Sequence, residues 1–152
     1  MASSTPDTVT IGVFQDAVSA ALGISALQRH AFTPDMLSVV ARRETSLDAI
    51  VGQFASSHWA SVTLPRLGDC VMAGLLGTML EGEGALLASS GLAGCIRSVG
   101  FQAHDGRIFE MLLERGGVLV AVQSEPRAAD ALALLHAYGA GNAAIGAWHG
   151  RL

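Results

Sequence analysis

Two cysteines and five histidines carry the side chains in this sequence most suited to binding metals or reacting covalently. Cys70 and Cys95 lie on opposite sides of a glycine-rich turn, so a chain folded back at that turn would bring them level. In a reducing compartment we expect two buried thiols that act as small hydrophobic side chains. A redox-sensitive disulfide or a shared soft-metal site is the alternative.

The histidines lack the spacing of a metal site. No two of them are four residues apart, and none forms a Cys/His ligand pattern. We therefore expect the five histidines to lie at helix ends or on the surface, and we expect no metal and no cofactor. The five are His30, His58, His104, His136 and His149.

Other residue patterns give no catalytic site. The glycines of 74–77 and 91–94 lack the spacing of a nucleotide-binding loop. Glu110 and Glu114 are one helical turn apart beside arginines, as in an ordinary solvated helix face. The Ser89-Ser90 pair has no base near it in sequence. We expect a protein that is not an enzyme.

Composition narrows the possible partners. The chain has 152 residues, of which 51% are hydrophobic and 14% charged, with a net charge of −4. Its nine basic residues are all arginines, which argues against tracking a nucleic acid backbone. No uncharged apolar run reaches the ~18 residues of a spanning helix, and no signal segment is recognisable. These features predict a cytoplasmic protein, with association with a membrane surface as the alternative.

Hydrophobic periodicity predicts two strand-helix-strand halves within a single domain, 1–152. Residues 8–42 form the first half and residues 104–148 the second. The predicted elements are strand Val9–Phe14, helix Asp16–His30, strand Met36–Ala41, helix His104–Arg115, strand Val118–Val122, a helix capped by Ser124 that ends before Tyr138, and strand Asn142–Trp148. Such halves predict an α+β, ferredoxin-like antiparallel sheet of four strands with helices on one face.

Residues 46–100 form an insert that this sheet does not require. A helix is predicted over Leu47–Phe54, followed by an irregular stretch through His58-Trp59. Residues 70–96 predict a glycine-rich helical hairpin, with legs 70–80 and 85–96 around an acidic turn. Each leg spans ~16 Å as a helix, about half of a bilayer core, so neither could cross a membrane alone.

Small residues would pair across this hairpin: Cys70 with Cys95, Gly74 with Gly91, and Gly77 with Ala88. A stripe of small residues lets two helices pack closely. The outer faces would remain apolar through Met72, Leu75, Leu76, Met79, Leu80, Leu86, Leu87, Leu92 and Ile96. Because water is a poor neighbour for them, the open sheet face, other copies of the chain or lipid must cover them.

Three stretches resemble the bacterial general stress proteins of the heat-induced, 17M-like group. They are VTIGVFQDAVSAALGISALQRHAFTPDMLSVVARRE, the glycine-rich insert, and HDGRIFEMLLERGGVLVAVQSEPRAADALALLHAYGA. The resemblance covers most of residues 9–140, and its most specific element is ERGGVLVAV. It implies a stress-associated role and carries no catalytic residues. The His58-Trp59 stretch and the Trp148-His149 tail depart from the group's pattern.

Three functional hypotheses follow. The first is a structural or interaction protein, whose hairpin forms a homo-oligomer or docks onto a larger assembly. The second is a module binding a small apolar ligand or cofactor on the open sheet face, with His58, Trp59, Cys70 or Cys95 at its edge. The third is a peripheral membrane protein, with Arg66 and Arg97 near head groups. Glu81 and Glu83 at the tip oppose deep insertion.

Overall fold

The computed structural model of this chain describes residues 7–33, 36–45, 48–51, 59–64, 67–74, 103–123, 127–140 and 144–148. In chain order its elements are β1 (Asp7–Phe14), α1 (Ala17–Arg29), β2 (Leu37–Arg42), α2 (Asp48–Val51), β3 (Trp59–Leu64), β4 (Gly68–Gly74), α3 (Ala103–Glu114), β5 (Val118–Gln123), α4 (Ala128–Ala137) and β6 (Ala144–Trp148). The α+β class is confirmed.

The six strands form one sheet in the order β3-β4-β2-β5-β1-β6, and all neighbouring strands are antiparallel. The four strands β2-β5-β1-β6, with α1 after β1 and α4 after β5, are compatible with the ferredoxin-like arrangement. The prediction of only four strands is wrong, because the insert adds β4 and β3 beyond β2.

Two parts of the insert differ from the sequence-based expectation. Residues 70–74 belong to strand β4 rather than to a helical leg, because they pair with β2 on one side and β3 on the other. The irregular conformation predicted for Trp59 is also wrong, since Trp59 begins β3. The remainder of the predicted hairpin, 75–96, lies outside the described residues, as does His58.

One face of the sheet, which we call the α1 face, packs against α1 and α4. Its core joins strand residues to both helices and to Ile50 of α2. Gly23 brings α1 close to the sheet, since a Cβ at this position would lie 2.6 Å from Cζ of Phe14. The strand residues of this core are Phe14, Leu37, Val39, Ala41, Ala73, Val118, Val120 and Val122.

The opposite face, which we call the α3 face, is buried as well. Helix α3 contacts β1, β2 and β5, and its Phe109 and Leu113 are fully buried. The expectation of helices on one face only is therefore wrong. Residues of the α3 face that are at most 2% exposed are Val9, Ile11, Val13, Val40, Cys70, Met72, Leu119 and Ala121.

Local capping signals explain where the helices begin and end. Asp16 caps α1, where its carboxylate accepts a hydrogen bond of 2.7 Å from the Ser19 amide, and this bond lowers the pKa of Asp16. All three long helices end in a Schellman motif, in which two successive amides donate to carbonyls three and five residues earlier. The left-handed residue is Gly116 in α3 and Gly139 in α4, but it is Ala31 in α1, with φ 70°.

We predict that Ala31→Gly stabilises the protein, because the left-handed conformation costs an alanine about 1 kcal/mol more than a glycine. Urea denaturation should show a higher midpoint with an unchanged m value. Gly139→Ala is the matched control and should lower the midpoint. A neutral or destabilising Ala31→Gly substitution would contradict this account of the cap.

Candidate functional site

Of the residues that the sequence assigned to an interaction site, only Cys70 and Gly74 lie in the described part of the chain. Both belong to β4, in which alternation places them on the α3 face. The others are outside the described residues, namely Leu75, Leu76, Gly77, Met79, Leu86, Leu87, Ala88, Gly91, Leu92 and Cys95.

The Cys70 thiol is free and fully buried. Its residue pairs with Arg42 of β2 and Val62 of β3. Burial raises the pKa of the Cys70 thiol to about 11, against the opposing effect of the Arg42 charge and with a smaller contribution from Asp69. A thiol with this pKa stays protonated at neutral pH, where it is a poor nucleophile and a poor metal ligand.

Arg42 forms hydrogen bonds with three parts of the fold at one end of the sheet. Its Nε donates to the Leu67 carbonyl at 3.1 Å, before β4, and its Nη1 donates to the Glu114 carbonyl at 3.0 Å, at the end of α3. Its Nη2 forms an ion pair of 2.5 Å with Glu44. The C-terminus of a helix carries partial negative charge, so the guanidinium stabilises α3 as well as positioning it.

An open depression of about 400 Å³ lies beside Arg42. It is lined by Arg42, Glu44, Thr45, Glu114, Arg115 and Gly116. All three nitrogens of the Arg42 guanidinium already have acceptors, so this group has little capacity left to direct an anion. The lining residues include no thiol or imidazole, and the Glu44 carboxylate is paired with Arg42.

A second arginine connects the end of α1 to the start of α4. The Nη1 of Arg127 donates to the His30 carbonyl at 2.6 Å, and its guanidinium carbon lies 4.2 Å from the centroid of the Phe32 ring. Asp130 accepts from Nε at 3.4 Å. His30 is exposed at the end of α1, and its role in this contact is that of a backbone acceptor. Sequence reasoning singled out neither Arg42 nor Arg127.

Two buried side-chain oxygens have no hydrogen-bond partner within the described residues, Oγ1 of Thr10 and Oε1 of Gln123. They lie at the same end of neighbouring strands, since Thr10 pairs with Val122 and Gln123 with Val9. Alternation nevertheless places them on opposite faces of the sheet, so they do not form one polar site.

Across the ranges that the structure covers, no three His, Cys, Asp or Glu side chains come together as a possible metal site. Among these residues, no helix combines the length and apolar character required to cross a bilayer.

Comparisons with protein-family models, curated proteins and solved structures find no match to this chain. The resemblance to the 17M-like stress proteins therefore stays a prediction from the sequence.

We predict that Arg42→Met destabilises the protein by about 1–3 kcal/mol, because two carbonyl groups and Glu44 lose their donor. Arg43→Met is the matched control: Arg43 is exposed, its side chain donates only to Ser61 among the bonds described, and the change should cost within about 0.5 kcal/mol. Denaturant unfolding measures both effects. An equal loss of unfolding free energy in the two variants would show that the Arg42 contacts do not hold α3 in place.

We predict that Cys70 in a Cys95→Ser protein reacts slowly with Ellman's reagent at pH 8 and at once after denaturation. Because the pKa of Cys70 is about 11 in the folded state and 9.0 ordinarily, the folded protein keeps this proton at pH values where the unfolded chain loses it. The Cys70 contribution to stability should be complete below pH 9.0 and should fall as pH rises towards 11. Cys70→Ala in the same background should remove this share of the pH dependence. Rapid reaction of Ellman's reagent with the folded protein would show that the Cys70 thiol is not buried.

Proposed function

We propose that this chain is a non-enzymatic interaction protein that associates with copies of itself, or docks onto a larger assembly, through the apolar segment 75–96. The predicted glycine-rich hairpin is, on this proposal, the contacting element. A stress-associated role and a cytoplasmic location accompany the proposal as predictions from the sequence.

The observation that carries the proposal is the position of this segment between two fixed elements. Gly74 ends β4 paired with Ser38 of β2, and α3, which follows the segment, packs on the α3 face. Only Glu81 and Glu83 are charged within 75–96. An apolar segment that lies in sequence between a strand of the sheet and a packed helix is suited to contact another surface.

The α1 face supports this proposal in a second way. Its described core is formed by residues of α1, α2, α4 and the strands, so the described part of the chain has an apolar core of its own.

The chemistry of the described residues favours an interaction role over catalysis. The Cys70 thiol is buried and protonated, and the guanidinium of Arg42 is occupied by structural contacts. The α3 face, where the ligand hypothesis would place an apolar molecule, has Ile11, Val40 and Leu119 fully buried. A ligand there would have to displace packed side chains, which disfavours the binding-module alternative.

We predict that wild-type protein forms oligomers whose mass increases with concentration in sedimentation velocity, and that Leu76→Glu with Leu87→Glu lowers this mass. Charges placed in an apolar contact lose solvation without gaining a partner. Val18→Glu with Leu22→Glu is the matched control, since Val18 and Leu22 are 64% and 58% exposed on α1. This control should assemble like wild type.

Far-UV circular dichroism identifies any unfolded variant, and Leu76→Ser with Leu87→Ser then replaces the glutamate pair. A wild-type monomer at every micromolar concentration would overturn self-association. Flotation of that monomer with lipid vesicles would support the peripheral membrane alternative instead.

A further inference from the structure

We draw no further inference here: the strongest candidate, the apolar surface patch that Val18 and Leu22 form on the exposed side of α1, carries nothing because the part of the chain that the structure describes does not show what covers it.

Discussion

The structure depends on a sheet that is buried on both faces. In β5 every residue from Val118 to Val122 is at most 1% exposed, so successive side chains point into two different apolar layers. One layer is supplied by α1 and α4, and α3 contributes to the other. A chain of this length that needs two layers must devote much of its hydrophobic content to them, which accounts for its high apolar fraction.

Two arginines each donate a hydrogen bond to a carbonyl at the C-terminal end of a helix. Arg42 donates to the Glu114 carbonyl at the end of α3, and Arg127 donates to the His30 carbonyl at the end of α1. In both contacts a guanidinium meets the negative end of a helix dipole and satisfies a carbonyl that the helix leaves free. These two guanidinium groups are thus engaged in holding helices in place.

Much of this fold could be predicted from local patterns. Alternation identified β1, and Asp16 marked the start of α1 correctly. The strand β4 was missed because Cys70 to Gly74 is apolar on both faces, and a short apolar run fits a buried helix as well as a buried strand. The strand β3 is defined by its pairing with β4. The arginine contacts escaped prediction because Arg42 and Arg127 reach carbonyls 72 and 97 residues away in sequence. The spacing of neighbouring residues in the sequence does not predict contacts over such separations.

We propose that another protein surface covers the apolar segment 75–96. Hydrogen exchange of peptides from this segment, followed by mass spectrometry at low and high protein concentration, tests this proposal. We expect protection of these amides to rise with concentration while that of β5 stays constant. Fast exchange of 75–96 at every concentration, beside a protected β5, would overturn the proposal.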